Sequence, residues 1–168
     1  TQRELIEACV DQVVADYGST ILYSSARNQY MIARIKRILR RTVWALKEQM
    51  QRGEFVPAGF EVDFPGGRID RMDLYETEEK VYVKIIDYKT GNTHFDLTSL
   101  YYGLQLQLAA YLNGAMELEQ KRHPQKDVEP AGIFYYNIQD PLIQSDSKEG
   151  TEATEQKILK ELRMNGLV

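Results

Sequence analysis

The chain is poor in the residues that build crosslinks and metal clusters, with one cysteine, Cys9, and two histidines among 168 residues. A single cysteine excludes an intrachain disulfide and a site of several cysteines, and it favours a reducing, cytoplasmic setting. The longest mostly apolar stretch, residues 104–116, contains three amide side chains and is shorter than the ~18 apolar residues that a membrane span requires. No signal sequence is recognisable at the start. These absences favour a cytoplasmic protein without a membrane anchor.

The composition is that of an ordinary globular domain. Hydrophobic residues make up 43% and charged residues 27% of the chain, which excludes a disordered or fibrous protein. The length is sufficient for one hydrophobic core and too short for two. We therefore expect a single domain over residues 1–168, with a helical part over 1–53 and an α/β core over 54–168.

The charge is unevenly distributed along the chain. The net charge is −4, yet residues 27–52 contain eight basic residues and one acidic residue, whereas residues 61–168 contain 12 basic and 19 acidic residues. Acidic regions can hold divalent cations, and basic helices can contact phosphates. Arg34, Arg37 and Arg41 share one flank of a predicted helix and are candidate DNA-binding residues. A solvated helix flank explains the same pattern equally well.

Hydrophobic periodicity predicts a mixed α/β fold with a sheet flanked by helices. Cys9 belongs to the apolar stripe of the first helix and is predicted to be a small core residue. The second helix is predicted to begin at Ser25 or Asn28, and Asp96 to cap the helix after the third strand. The predicted helices cover about 3–16, 25–50, 97–120 and 152–164, the predicted strands 55–64, 68–75, 81–89 and 131–138, and the predicted polar or mobile loops 123–129 and 145–150.

The third predicted strand changes character at its end. Alternation places three aliphatic side chains on one face, followed on the same face by Asp87 and Lys89. Charges on a buried face are costly unless they have partners. Asp70 on the preceding strand offers a second carboxylate, and oxygen ligands of this kind suit Mg²⁺. A divalent metal site and a simple ion pair at a strand end are both consistent with this pattern.

A glutamine interrupts a helix face of small and apolar residues in the segment QLAAY (107–111). Gln107 shares this face with Gly103, Tyr111 and Gly114 when the helix is continuous. An amide in such a place should be hydrogen-bonded to something specific. Gln107 is therefore either a satisfied core residue or, with Tyr111, a neighbour of the carboxylates that orients Lys89 or a substrate phosphate.

Taken together, GRIDRMD (67–73), IIDYKTG (85–91) and QLAAY (107–111) resemble the RecB-family branch of the PD-(D/E)XK nucleases. Residues 95–112, 130–143 and 161–168 are similar to the AddB-type nuclease domain of bacterial AddAB helicase–nucleases. The resemblance implies a restriction-endonuclease-like core. It also implies metal ligation by Asp70, Asp87 and the backbone carbonyl of Tyr88, with Asp70, Asp87, Lys89, Gln107 and Tyr111 as the catalytic set.

Two features depart from the family pattern. Members of the family usually supply a histidine or glutamate ahead of these strands, but no histidine precedes position 94 here, so either Glu61 or a residue beyond the start of this chain would have to be that metal ligand. An iron–sulfur cluster held by four flanking cysteines is expected in the full-length family, and one cysteine cannot support it. The chain therefore resembles a piece of a larger subunit.

The function implied by the resemblance is that of a Mg²⁺-dependent DNA exonuclease, with Mn²⁺ able to substitute. It would act on double-strand break ends in recombinational repair, in the bacterial cytoplasm, together with an AddA-like helicase–nuclease subunit. Two alternatives stay open: a catalytically silent DNA-binding or scaffold module, and a free-standing RecB-like exonuclease. The complete set of Asp70, Asp87 and Lys89 favours an enzyme, and the interrupted strand at the end of the chain favours a fragment.

Overall fold

The computed structural model describes residues 1–17, 23–142 and 150–168. Within these ranges a five-stranded sheet is flanked by helices, which confirms the predicted fold class. The elements in chain order are α1 (Gln2–Asp16), α2 (Ala26–Met50), β1 (Val56–Phe64), β2 (Gly67–Glu76), β3 (Lys80–Lys89), α3 (Leu97–Tyr101), α4 (Gln107–Arg122), β4 (Asp127–Asn137), α5 (Thr151–Glu161) and β5 (Asn165–Leu167).

The two N-terminal helices pack against each other through only part of their apolar surface. α2 begins at Ser25, whose side chain accepts a hydrogen bond from the backbone N–H of Asn28 at 3.2 Å. The contact between the helices buries Val10, Val14 and Ile32. Cys9 lies outside this contact and is exposed, so the prediction of a core cysteine is wrong. α2 covers one half of the predicted stripe of α1 and leaves the half containing Cys9 in solvent.

The strands are arranged in the order β1-β2-β3-β4-β5. β1, β2 and β3 form an antiparallel meander, β4 runs parallel to β3, and β5 returns antiparallel to β4. A parallel pair requires a crossover connection, and α3 and α4 supply it. β4 begins at Asp127 opposite Lys80, so the polar loop predicted over 123–129 is shorter than expected. Pro130 is accommodated in this strand next to a shift of the pairing register.

The helix predicted over 97–120 is divided in two, which corrects the sequence interpretation. Asp96 caps α3 as expected, accepting hydrogen bonds from the backbone N–H groups of Thr98 and Ser99 at 3.1 and 2.9 Å. Gly103 follows the end of α3 with a φ of +78°, a conformation that glycine adopts without strain. α4 then begins at Gln107. Gly103 therefore does not share a helix face with Gln107.

The sheet is covered on both faces. α4 packs on the face that carries Asp87, and α2 lies on the opposite face, where its side chains line a cavity of about 600 Å³ together with Phe60, Arg71 and Tyr88. The main core lies under α4 and consists of Ile69, Met72, Val83, Ile85, Leu108, Ala115, Ile133 and Tyr135. Within the described ranges, no helix is both long and apolar enough to cross a membrane.

The chain end completes the sheet. α5 covers Thr151–Glu161, somewhat shorter than the predicted 152–164, and the loop predicted over 145–150 lies outside the described residues except for Gly150. The strand predicted at the end of the chain is present as β5, which pairs with β4 through Gly166 opposite Phe134. A Cβ atom at Gly166 would overlap the carbonyl oxygen of Ile133 and lie 2.8 Å from the Cα of Phe134. Only glycine permits this pairing.

We therefore expect Gly166→Ala to lower the free energy of unfolding by about 1–3 kcal/mol, because the new methyl group meets backbone that cannot move aside. Urea denaturation of the purified protein measures this change. Gly53→Ala is the matched control, since nothing lies within 4 Å of a Cβ atom built there. Equal stability of Gly166→Ala and the unaltered protein would contradict the pairing of β4 with β5.

Candidate active site

Two carboxylates lie beside the same segment of β3. Asp70 accepts a hydrogen bond from the backbone N–H of Tyr88 at 2.8 Å. Tyr88 directly follows Asp87, so the hydrogen bond ties β2 to the point where Asp87 projects from the sheet. The charge of Asp70 acts on Asp87 and contributes to a raised pKa there. The structure thus brings together the two carboxylates that the sequence analysis assigned to a metal.

Asp87 is the more unusual of the two carboxylates. Its side chain is only 4% exposed. Burial raises the pKa of Asp87, the nearby charge of Lys89 opposes this effect, and the charge of Asp70 adds to it. The Oδ2 atom is buried and forms an ion pair with the Nζ atom of Lys89, which lies 2.7 Å away. An ionised oxygen in this state is costly and is suited to a cation.

Lys89 is held between β3 and α4. Its Nζ atom lies 2.7 Å from Oδ2 of Asp87 and donates a hydrogen bond to Oε1 of Gln107 at 3.2 Å. Partial burial works against its charge, but the contact with Asp87 outweighs burial and the pKa of Lys89 is raised. Lys89 is therefore an ammonium group at neutral pH. The side chain remains 29% exposed, which leaves it accessible to a substrate.

Gln107 and Tyr111 form the second support of Lys89. The Nε2 atom of Gln107 donates a hydrogen bond to the Tyr111 hydroxyl at 2.7 Å. A lysine can only donate, so the amide oxygen of Gln107 must face Lys89 and its nitrogen must face Tyr111. Gln107 is therefore exposed and contacts Lys89 rather than lying in the core, and its role towards a substrate stays a prediction. The Tyr111 hydroxyl accepts from Gln107 and keeps its own O–H as a donor.

The ring of Tyr111 is fixed by the β1–β2 hairpin. Phe64 contacts it edge-on, with 5.6 Å between ring centroids. A Cβ atom at Gly67, which has a φ of +151°, would lie 3.1 Å from the Tyr111 ring, and one at Gly114 would overlap the Phe64 ring. The first glycine of the GRIDR segment is therefore needed for the close approach of Tyr111. Sequence analysis missed Phe64, and nothing in its local pattern distinguishes it from an ordinary strand residue.

The two other predicted metal ligands are the Tyr88 carbonyl and Glu61, and they lie in different surroundings. The N–H of Tyr88 points towards β2, and the carbonyl of a strand residue points to the same side as its N–H, so the Tyr88 carbonyl faces Asp70. Glu61 is exposed, has a φ of +49° and forms an ion pair with Arg68 at 3.4 Å. Among the described residues, no group of three acidic, histidine or cysteine side chains could hold a metal. In this structure Glu61 is paired with Arg68, and its role as a metal ligand stays a prediction.

A second set of charges lies on the opposite face of the sheet. Arg71 donates two hydrogen bonds to Asp73, at 2.6 and 2.9 Å, and Lys84 lies 2.9 Å from the same carboxylate. Asp73 is fully buried, yet both its oxygens have partners. It shares its face with Tyr88 rather than with Asp87. Asp73 is therefore a structural residue and not a substitute for Asp70.

The basic flank of α2 is partly neutralised. Arg37 forms an ion pair with Asp140 at 2.6 Å, and Arg41 contacts the other oxygen of the same carboxylate. Asp140 follows the end of β4, the strand whose Asn137 pairs with Lys89. Arg34 is exposed on the same helix. The flank thus lies at the end of the sheet that carries Lys89, but on the side covered by α2.

Nearly the whole chain matches one known family. A family model described as the PD-(D/E)XK nuclease superfamily covers residues 1–164. The chain belongs to this superfamily. Within it, the Asp87-Tyr88-Lys89 segment stays the candidate for the (D/E)-x-K residues, and Asp70 the candidate for the preceding aspartate.

Similar proteins include long bacterial proteins, each named as the B-type subunit of an ATP-dependent helicase/deoxyribonuclease. The one from Lachnoclostridium phytofermentans is 48% identical over 170 residues, which cover 96% of this chain and 14% of that protein. Those from Alkaliphilus metalliredigens and Clostridium acetobutylicum are 42% and 38% identical, covering 98% and 99% of this chain and 16% of each protein. These names confirm the resemblance to AddB-type nuclease domains. The chain spans about one sixth of the length of these relatives.

Asp87→Asn should raise or preserve the stability of the metal-free protein at neutral pH. The pKa of Asp87 is raised on folding, so the folded state binds more protons than the unfolded state just above pH 3.8, the ordinary pKa of aspartate. Stability supplied by this group is therefore complete at low pH and is lost as pH rises through the raised pKa. In thermal unfolding with EDTA, Asp87→Asn should have a higher Tm than the unaltered protein at pH 7. The difference in Tm should disappear near pH 4.

Asp63→Asn is the matched control for this measurement, because Asp63 is an exposed carboxylate on β1, which is separated from β3 by β2. We expect no comparable gain at pH 7 from its replacement. A clear loss of stability in Asp87→Asn at pH 7 would contradict the description of Asp87 as a costly, underpartnered carboxylate.

Proposed function

We propose that this chain is a Mg²⁺-dependent deoxyribonuclease domain that hydrolyses phosphodiesters at double-strand DNA ends. The observation that carries the proposal is the buried Asp87 carboxylate, whose Oδ2 atom lies 2.7 Å from the ammonium group of Lys89 and on which the charge of Asp70 acts. The superfamily to which the chain belongs is one of nucleases, and relatives carry the word deoxyribonuclease in their names. Both findings support the proposal.

The residues present fit a divalent cation. Asp70 and Asp87 supply hard carboxylate oxygens, and the Tyr88 carbonyl faces the same space. Mg²⁺ commonly uses one or two carboxylates and completes its shell with water and substrate oxygens, so a third acidic residue is not required. When bound, Mg²⁺ supplies Lewis acidity that polarises the phosphate and makes water a better nucleophile. Mn²⁺ prefers similar ligands and should substitute.

The side chains around the carboxylates provide for charge and orientation. Hydrolysis forms a bond between a water oxygen and phosphorus and breaks the bond to the leaving 3′ oxygen, so negative charge accumulates on the phosphoryl oxygens. Lys89, fixed by Asp87 and Gln107, offers a positive charge and a proton donor at that position. Tyr111 offers its free O–H to a phosphate oxygen. Gln107 orients both of these groups through its two hydrogen bonds.

The proposed substrate, partner and location are based on the names of the relatives. Their names, which describe one part of a helicase/deoxyribonuclease, imply DNA as substrate, an AddA-like helicase–nuclease subunit as partner and the bacterial cytoplasm as location. Exonucleolytic action on break ends during recombinational repair belongs to the same proposal. An iron–sulfur cluster would need cysteines beyond this chain, since Cys9 is its only cysteine. The alternative role, a silent DNA-binding module, would show DNA binding without cleavage in the intact complex.

Asp70→Asn and Lys89→Gln should impair cleavage for different reasons. Loss of Asp70 removes a metal ligand, so the affinity for Mn²⁺ measured by calorimetry should fall. Loss of Lys89 removes a positive charge near the metal, so Mn²⁺ affinity should hold or rise while the rate of Mg²⁺-dependent cleavage falls by roughly 10²–10⁴. Both measurements use the full-length protein that contains this chain, together with its partner subunit.

Asp63→Asn again serves as the control, with unchanged metal affinity and cleavage rate. Equal Mn²⁺ affinity of Asp70→Asn and the unaltered protein would remove Asp70 from the ligand set. Retained cleavage in Asp87→Ala would disprove the active-site assignment as a whole.

The basic flank of α2 gives a separate prediction on DNA binding. If Arg34, Arg37 and Arg41 contact phosphates, replacing one of them by glutamine should lower the slope of log affinity against log salt by about 0.7–0.9. Asp140→Asn should have the opposite effect and strengthen binding, because it releases two arginines from their ion pairs. Filter binding across a salt series measures both. No change in any of these variants would assign the flank to structure alone.

A further inference from the structure

An aromatic ring lies against the ammonium group of Lys89 on the side of the sheet. The Nζ atom of Lys89 is 5.4 Å from the centroid of the Tyr135 ring. A cation within about 6 Å of an aromatic face is attracted by the ring. The ring therefore adds a third contact to the two that Lys89 makes with Asp87 and Gln107.

The parallel pairing of β3 and β4 determines the position of Tyr135. In this pairing Asp87 is the Cα partner of Tyr135, and Lys89 is the partner of Asn137. Side chains alternate along a strand, so Asp87, Lys89 and Tyr135 project from the same face of the sheet. Tyr135 is 4% exposed and belongs to the main core, which fixes its ring. The long side chain of Lys89 thus contacts a Tyr135 ring that the core holds in place.

The type of contact matters for the role of Lys89. A second carboxylate at this position would also hold the ammonium group, but it would add negative charge beside Asp70 and Asp87. An aromatic face attracts the cation without a formal charge and without using any of its three N–H donors. Two of those donors face Asp87 and Gln107. The third remains free for a water molecule or a phosphate oxygen.

We propose that Tyr135 is a positioning residue, whose ring holds the Lys89 ammonium group in place between Asp87 and Gln107. The inference rests on the proposed nuclease function for its kinetic consequence, but the position of Lys89 can be observed independently of activity. The ring is the required part, and the phenolic hydroxyl is not.

The kinetic test compares Tyr135→Phe, which keeps the ring, with Tyr135→Leu and Tyr135→Met, which replace it by aliphatic side chains. Each is made in the full-length protein with its partner subunit, once with Lys89 and once with Lys89→Gln. With Lys89 present, Tyr135→Phe should cleave at close to the unaltered rate. The aliphatic variants should be slower by about 2- to 30-fold, the range expected from loss of one cation–π contact. With Lys89→Gln, the three variants should have the same rate.

Tyr136→Leu is the matched control, because Tyr136 is a fully buried neighbour on β4 that faces away from Lys89. Any effect of this variant on rate should be the same with Lys89 and with Lys89→Gln. Equal rates of Tyr135→Phe and Tyr135→Leu would overturn the positioning role. A loss in Tyr135→Leu of the same size in both backgrounds would also overturn it, since the effect would then be structural.

An activity-independent test uses crystal or cryo-electron microscopy structures of the same full-length proteins. We expect the Lys89 side chain to be ordered beside Gln107 in Tyr135→Phe and to occupy several rotamers in the aliphatic variants. Tyr135→Met preserves the test if the leucine variant does not fold. Lys89 in one unchanged position in the aliphatic variants would overturn the inference. Absence of cleavage by the unaltered complex would instead count against the proposed function. The position of Lys89 in these structures would then still decide whether Tyr135 holds it.

Discussion

The constraint on which the site depends is the burial of a carboxylate that lacks a full set of partners. Asp87 projects from the end of β3 into space closed by the sheet and by α4, with 4% of its side chain exposed. Its Oδ2 atom has the Nζ atom of Lys89 at 2.7 Å, and the charge of Asp70 acts on the same carboxylate. The fold tolerates the burial of this charge because the surrounding aliphatic core is extensive. A buried carboxylate with one cationic neighbour is the feature on which the proposed metal site depends.

The two faces of the β2–β3 pair show that this state is particular to one side. On the face covered by α2, Asp73 is fully buried but receives two hydrogen bonds from Arg71 and an ion pair from Lys84. Such a network stabilises the hairpin and leaves no room for a metal. On the face covered by α4, the carboxylates have fewer partners. The same pair of strands thus carries a fully partnered ionic cluster on one face and, on the other face, the carboxylates of the candidate site.

Lys89 is the meeting point of three separate parts of the fold. Asp87 belongs to its own strand, Gln107 to the first turn of α4, and Tyr135 to the parallel neighbour β4. The support through α4 continues to Tyr111 and Phe64, where Gly67 and Gly114 allow the close approach of helix and hairpin. A small change in the β1–β2 hairpin can therefore alter the position of the Lys89 ammonium group through Tyr111 and Gln107.

The sequence by itself determined the fold class and the identity of the candidate site residues. Alternation in β3 placed Asp87 and Lys89 on one face after three aliphatic residues, because side-chain direction in a strand has a fixed period of two. The tertiary structure decided which other groups meet them. Gln107 contacts Lys89 because the chain turns at Gly103 after α3, so that α4 begins at Gln107. Tyr135 contacts Lys89 because the register of the parallel β3–β4 pair places it beside Asp87. The prediction for Cys9 was wrong for the complementary reason. Whether a helix face is covered depends on contacts between residues that no local pattern contains.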